Sequence, residues 1–143
     1  MERYQSPNGI DSSNAIGISM ICEMSLNSKP FENIKNGKKV IEIRLYDEKR
    51  QKIHPKDIIV FTRLPDKKEK IAVEVTGLSI FVSFRDLFLN FEKKEFGHPK
   101  EVTIDEQINW QWEHYTKEEE LKYGVVGIHI KLLDKLPDEH TSK

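Results

Sequence analysis

The sequence predicts an α+β domain that is mainly β, a small closed β-barrel of about five strands with short peripheral helices. Two observations carry this prediction. Several short stretches are either apolar throughout or alternate apolar and polar residues with the period of two that a half-buried strand requires. Helix-start signals occur in only two places, after the first strand and in the long stretch before the last. Several strands with so few helices favour a small barrel over a doubly wound sheet.

The clearest predicted strand is 40–46, in which three aliphatic residues alternate with Glu42 and Arg44. Side chains two positions apart on a strand point to the same face, so Glu42 and Arg44 should lie side by side, away from the core. In the fourth strand, Gly77 indicates a bulge or a barrel corner. The predicted strands are 19–26, 40–46, 58–62, 71–80 and 125–133.

The predicted helices are short, and each begins at a hydroxyl residue that can act as an N-cap. The four N-caps are Ser28, Ser83, Thr103 and Thr116, and the last two are followed by Glu106 and Glu119, which would complete capping boxes. The segment 92–101 is predicted to be a loop. Aromatic residues at helical spacing are predicted to lie in the core, namely Phe81, Phe84, Phe88, Phe91 and Trp112.

Length and composition indicate one domain, which we place at 17–134. The polar ends, 1–16 and 135–143, are predicted to be disordered tails. The single cysteine, Cys22, excludes a disulfide framework within the chain and fits a reducing compartment, so a cytoplasmic location is expected. No run approaches the roughly 20 apolar residues of a membrane span, and no partner membrane is expected.

Charge is unevenly distributed along a chain whose net charge is only −1. The segment 35–56 carries eight basic residues against three acids, and the segment 102–121 carries six acids against one lysine. One face of the protein is therefore expected to attract phosphate while another repels it. The alternative is two ordinary solvated faces whose charges cancel.

The segment from Gly37 to Arg44 reads G-K-K-V-I-E-I-R and has the form G-x-K-x-x-E-x-R. Together with the short helix before it and the Tyr-Gly-Val sequence at 123–125 that leads into the last strand, it resembles the signature of the ASCH domain family. The resemblance spans about 19–133. It implies a PUA-like β-barrel with a cleft that is proposed to bind RNA.

The chemistry of the motif residues agrees with a binding role. Gly37 permits a tight turn, and Lys39 can reach a phosphate or a polarised carbonyl. Glu42 and Arg44 can form an ion pair or read a base edge, although an ordinary salt bridge on a solvated strand would show the same pattern. The candidate residues for RNA or a nucleotide-like ligand are Gly37, Lys38, Lys39, Glu42, Arg44, Lys49, Arg50, Lys52, Trp110 and Tyr115. The two aromatic residues are included because bases stack on such rings.

Two other functions remain open at the level of sequence. One branch of the ASCH family resembles an amidohydrolase that acts on N4-acetylcytidine, in which the motif lysine works with a threonine and a later glutamate. This sequence keeps Lys39 but has Glu42 in place of the threonine, and Glu95 is the nearest match by spacing for the later glutamate. The other function is a protein-interaction domain. No His and Cys residues show metal-ligand spacing, so neither metal nor cofactor is expected.

Overall fold

The computed structural model describes residues 3–4 and 19–138. Its strands are β1 (Arg3–Tyr4), β2 (Ile21–Leu26), β3 (Ile41–Leu45), β4 (Ile58–Arg63), β5 (Lys70–Phe81) and β6 (Val125–Leu132). They form one curled sheet in the order β1-β2-β4-β5-β6-β3. β2 and β4 run parallel, and every other neighbouring pair is antiparallel. The mixed α+β class is therefore confirmed, with five longer strands and the two-residue β1.

Four short α-helices and two 3₁₀ turns connect the strands of the described chain. The helices are α1 (Ser28–Lys35), α2 (Phe84–Asn90), α3 (Ile104–Trp112) and α4 (Lys117–Tyr123), and the turns are Arg50–Lys52 and Lys93–Phe96. The predicted cap at Ser83 and the two predicted capping boxes, which open α3 and α4, are present. The sequence predicts these caps correctly because the cap residue and its hydrogen-bonding partner lie within one helical turn of each other.

The sheet is an open half-barrel, so the prediction of a closed barrel is wrong in this respect. Among the described residues, no backbone ladder joins β3, at one edge, to β2 or β1 at the other side. A side chain spans the gap instead, because Nη2 of Arg44 in β3 donates a hydrogen bond of 3.1 Å to the carbonyl oxygen of Ser25 in β2. Polar side chains thus occupy the space in which the backbones would have to approach to about 4.8 Å to pair.

Most buried apolar residues of the described chain form two main hydrophobic clusters, and a small third cluster joins Ile21, Val60 and Ala72. The larger cluster packs α1 against β2, β4, β5 and β6 and includes Phe31 and Phe61. The smaller one packs the aliphatic residues of β3 against α2, α3 and Phe96. Because Ile41, Ile43 and Leu45 are committed to the smaller cluster, Glu42 and Arg44 must face the other way. The predicted alternation in this strand is confirmed.

Two predictions about individual segments are corrected, and a third is confirmed. Ser28 is the first residue of α1 and not its cap; the N-cap is Asn27, and the Ser28 hydroxyl donates to the carbonyl of Leu64 at 3.0 Å. The predicted loop 92–101 contains the 3₁₀ turn Lys93–Phe96, which is closed by a capping box between Glu92 and Glu95. The bulge predicted at Gly77 is present as a register shift between Val75 and Gly77.

Trp112 does not lie in the core, as its helical spacing predicts. Trp112 is 36% exposed. The indole Nε1 donates to Glu120 at 2.9 Å, and the Lys117 ammonium lies 4.3 Å from the ring centroid. The last turn of α3 extends past the hydrophobic cluster, so polar neighbours from α4 cover this ring. Phe84 and Phe88 are buried as predicted, and Phe81 and Phe91 pack against the smaller cluster.

Most residues of the two predicted tails, 1–16 and 135–143, lie outside the described residues. Within them, Arg3–Tyr4 pair with β2 through Glu23 and Cys22, and residues 135–138 follow β6 without forming a helix or strand. Cys22 is buried.

Candidate ligand-binding cleft

A cavity of about 470 Å³ opens in the gap between β2 and β3. This volume lies in the range of about 300–1,000 Å³ that small-ligand pockets occupy. Its charged lining consists of three cationic residues and one carboxylate, namely Lys29, Lys39, Arg44 and Glu42. The excess of positive charge favours an anionic ligand. We call this cavity the cleft.

Glu42 lies between the two cations of the motif. Its Oε1 is 3.3 Å from Nζ of Lys39, and its Oε2 accepts a hydrogen bond of 2.7 Å from Nε of Arg44. The three side chains are only 8%, 5% and 11% exposed, in the order Lys39, Glu42 and Arg44. Burial alone would raise the pKa of Glu42, but the Lys39 and Arg44 charges outweigh it and lower that pKa. The carboxylate is therefore ionised and fully engaged with the two cations.

The turn before β3 explains how Lys39 reaches the cleft. The carbonyl oxygen of Asn33, in α1, accepts hydrogen bonds from the backbone N–H groups of Lys38 and Lys39 at 2.8 and 2.9 Å. Gly37 adopts a φ of +80°, which a side chain would strain, and lets the chain reverse directly after the helix. Immediately afterwards the Val40 N–H donates to the carbonyl of Glu95 at 2.8 Å, which ties β3 to the 3₁₀ turn.

A second part of the cleft lining is aromatic. It is formed by the end of α3 and the residues after it, including Trp110, His114 and Tyr115. Trp110 is half-buried and meets the His98 ring edge-to-face, with centroids 5.0 Å apart. Tyr115 stacks on Phe84 at 5.9 Å, which holds its ring in place. The cleft thus combines cationic side chains with aromatic rings on which a base can stack.

His98 is a functional candidate that the sequence analysis missed. Its Nδ1 lies 2.9 Å from Nε2 of Gln107, which is completely buried in α3. Burial and the nearby Lys39 charge lower the pKa of His98 to about 4. At neutral pH the imidazole is therefore uncharged. Because Nδ1 pairs with Gln107, Nε2 is the nitrogen that can form a hydrogen bond with a ligand. In the sequence, His98 stands between Gly97 and Pro99, which indicates a loop. A loop position does not reveal that the histidine is buried, so the sequence does not identify it as a site residue.

The structure brings together some of the candidate residues and separates others. Lys39, Glu42, Arg44, Trp110 and Tyr115 line the cleft. Gly37, Lys38 and Glu95 line a neighbouring cavity instead. The remaining three, Lys49, Arg50 and Lys52, do not line the cleft; Lys49 and Lys52 are exposed, and Arg50 pairs with Asp47 at 3.0 Å.

Over the described ranges 3–4 and 19–138, no cluster of three or more His, Cys, Asp and Glu side chains is arranged to hold a metal ion. None of the helices in this part of the chain has the length and apolar character that crossing a bilayer would need.

The curled, open sheet with short helices and a cleft at its seam is consistent with a small PUA-like domain. The model of the ASCH domain family matches residues 24–134. This match covers most of the chain, so the protein belongs to the ASCH domain family, and the resemblance carried by the motif is confirmed.

Solved structures agree with this assignment. The crystal structure of hypothetical protein PH0355 is 38% identical, with a TM-score of 0.68, and the match covers 78% of this chain and 97% of that one. The solution NMR structure of protein PF0455 from Pyrococcus furiosus is also 38% identical, with a TM-score of 0.63 and coverages of 79% and 97%. The crystal structure of a mutant of ZmASCH from Zymomonas mobilis, at 13% identity and a TM-score of 0.54 over 78% of this chain and 67% of that one, shows the fold alone. No curated protein matches this chain.

Proposed function

We propose that this ASCH domain binds RNA or a nucleotide-like ligand in the cleft. The observation that carries the proposal is the pairing of a positive wall, formed by Lys39 and Arg44, with an aromatic wall that includes Trp110. Single-stranded nucleic acids are commonly held by this combination, in which cations meet the backbone and rings meet the bases.

The contacts within the cleft assign a different task to each polar residue. Both carboxylate oxygens of Glu42 are occupied by cations, so its role is to position Lys39 and Arg44 and not to read a base. Among the described residues, the Lys39 ammonium contacts only that carboxylate, and it therefore keeps N–H donors for a phosphate. The neutral His98 ring adds a hydrogen-bonding group without adding charge.

The matched pair Trp110→Ala and Trp112→Ala tests the proposal. The two tryptophans lie two positions apart on α3, but only Trp110 lines the cleft. Because stacking contributes about 1–3 kcal/mol per base, Trp110→Ala should weaken binding of short single-stranded RNA by about tenfold or more, as measured by calorimetric titration. Trp112→Ala should bind like the unchanged protein.

Equal loss in both variants, or no binding of any nucleotide or RNA by the unchanged protein, would refute the proposal. The second result would favour the protein-interaction alternative. Hydrolysis of N4-acetylcytidine by the purified protein, abolished in Lys39→Ala, would favour the amidohydrolase instead. We rank that activity lower because Glu42 replaces a hydroxyl residue and Glu95 lies outside the cleft. A cytoplasmic location is part of the proposal and is supported by the single, buried Cys22.

A further inference from the structure

A second cavity, of about 630 Å³, adjoins the cleft. The two cavities have five lining residues in common, which are Lys29, Asn33, Gly97, His98 and Pro99. They are therefore neighbouring parts of one surface and meet along the segment that follows the 3₁₀ turn. The motif serves both of them, since Lys39, Glu42 and Arg44 face the cleft, while Gly37 and Lys38 face the second cavity.

Asn33 lies at the junction and is 9% exposed. Its main-chain carbonyl is fixed by the N–H groups of Lys38 and Lys39. Its side-chain amide, in contrast, makes no hydrogen bond to any residue that the structure describes. The polar atoms of this amide remain accessible, and Asn33 lines both cavities, so a ligand in either cavity can bond to them. The amide can both donate and accept a hydrogen bond. It could therefore contact the part of a ligand that links the two cavities.

The second cavity is also positively charged. Lys29, Lys38 and Lys94 line it, against the single carboxylate of Glu95. Glu95 is already engaged in the capping box, where its side chain accepts from the Glu92 N–H at 2.9 Å. Lys38 has no side-chain partner among the described residues. Nζ of Lys94 lies 3.5 Å from Oε2 of Glu92, but both side chains are exposed, so this pair is weak and a phosphate can compete for the lysine. With Lys29 and Lys38 beside it, the cavity still has more cationic groups than carboxylates, as a phosphate site does.

We propose that the two cavities form one groove for consecutive nucleotides of single-stranded RNA. The first nucleotide occupies the cleft, the second occupies the cavity lined by Lys38 and Lys94, and Asn33 contacts the link between them. This inference rests on the proposed function of the cleft and narrows it, because it makes the ligand an oligonucleotide and not a free mononucleotide.

The test compares each nucleoside 5′-monophosphate with the corresponding 5′-phosphorylated homodinucleotide by calorimetric titration. The dinucleotide of the preferred base should bind about tenfold more tightly, since it adds a charge-assisted contact. In Lys38→Ala/Lys94→Ala this gain should largely disappear while mononucleotide affinity stays unchanged. Both lysines are exposed, so the variant should fold normally.

The double variant Lys49→Ala/Lys52→Ala removes the same charge from exposed residues outside both cavities, and it should keep the full gain. If mononucleotides bind but dinucleotides bind no better, the second subsite is refuted while the proposed function of the cleft stands. If the gain survives in Lys38→Ala/Lys94→Ala, or is lost equally in the control, the subsite is not in this cavity. If neither probe binds, the proposed function itself fails and the groove with it.

Discussion

Glu42 holds the polar side of the cleft together. Nearly buried, it is the only carboxylate that lines the cleft in the described part of the chain, and it faces two cations that are themselves almost buried. Removing one member of a buried ionic cluster leaves the others uncompensated, which costs far more than the cluster contributes as a whole. The motif is thus a structural unit as well as a binding site.

We expect Glu42→Gln to lower the free energy of unfolding by about 3 kcal/mol at pH 7, because Lys39 and Arg44 would then be buried without a counter-charge. Urea denaturation followed by circular dichroism measures this difference. The control is Glu69→Gln, which disrupts a partly exposed ion-pair cluster with Lys35 and Arg63 and should change stability much less.

The loss of stability in Glu42→Gln should also depend on pH. The lowered pKa of Glu42 means that its contribution is complete above the ordinary value of 4.5 and is lost as the pH falls through the still lower pKa of the folded state. The difference between the unchanged protein and Glu42→Gln should therefore shrink below pH 4.5. A difference that stays constant down to the acid transition would contradict the charged role of Glu42.

His98 should control stability in a separate and less acidic range. Its pKa falls from 6.5 in the unfolded chain to about 4 in the fold, because of burial and the Lys39 charge. The unfolded state then binds more protons between these values, so stability should fall by about 2 kcal/mol from about pH 7 to about pH 4, allowing for the partial exposure of the ring. In His98→Gln, which can still pair with Gln107, this slope should be nearly absent in denaturation series.

At the scale of elements, the segment 92–99 positions both cavities. The 3₁₀ turn Lys93–Phe96 is closed by its capping box, anchored by the buried Phe96 and bonded to β3 through Val40 and Glu95. Gly97 then ends the turn with a φ of +80°. A β-carbon at this position would lie 3.1 Å from Nδ2 of Asn33 and 3.2 Å from Cβ of Lys39. The segment thus packs directly against the motif.

Gly97→Ala and Gly37→Ala form a matched pair that tests this packing. Both residues have a φ of +80°, so both variants should lose about 1 kcal/mol of stability from backbone strain. Only Gly97→Ala also crowds Asn33 and Lys39, since nothing among the described residues lies within 4 Å of a β-carbon at Gly37. We therefore expect a larger loss of stability and weaker RNA binding in Gly97→Ala alone. Equal effects on both measurements would show that the segment does not position the site.

At the scale of the whole molecule, the cleft exists because the sheet does not close. Among the described strands, β3 pairs with β6 alone, and its apolar face packs on α2 and α3. Its polar face is then turned towards β2 across a gap that Arg44 bridges through Ser25. The basic segment 35–56 contributes Lys39 and Arg44 to this cleft, whereas its later residues Lys49, Arg50 and Lys52 do not line it. Charge patterning thus indicates the region of the site in this protein but not which of its cations form the site.

The sequence by itself determined the features that depend on neighbouring residues. The alternation in β3, the caps of α2, α3 and α4, and the bulge at Gly77 are all specified within a few positions, so local rules predict them. The pattern of short strands and few helices predicted the α+β class, and alternation predicted the shared face of Glu42 and Arg44, while the family motif added the expectation of a cleft.

Tertiary structure alone decided how distant segments meet. The open edge at β3, the exposure of Trp112 and the burial of His98 against Gln107 depend on which elements pack together and where a helix extends beyond the core. Burial sets the charge state of His98, and burial is a property of the packed molecule that no short sequence pattern encodes. The division of the motif between two cavities arises in the same way, because the segment 92–99 reaches Asn33 and Lys39 only after folding.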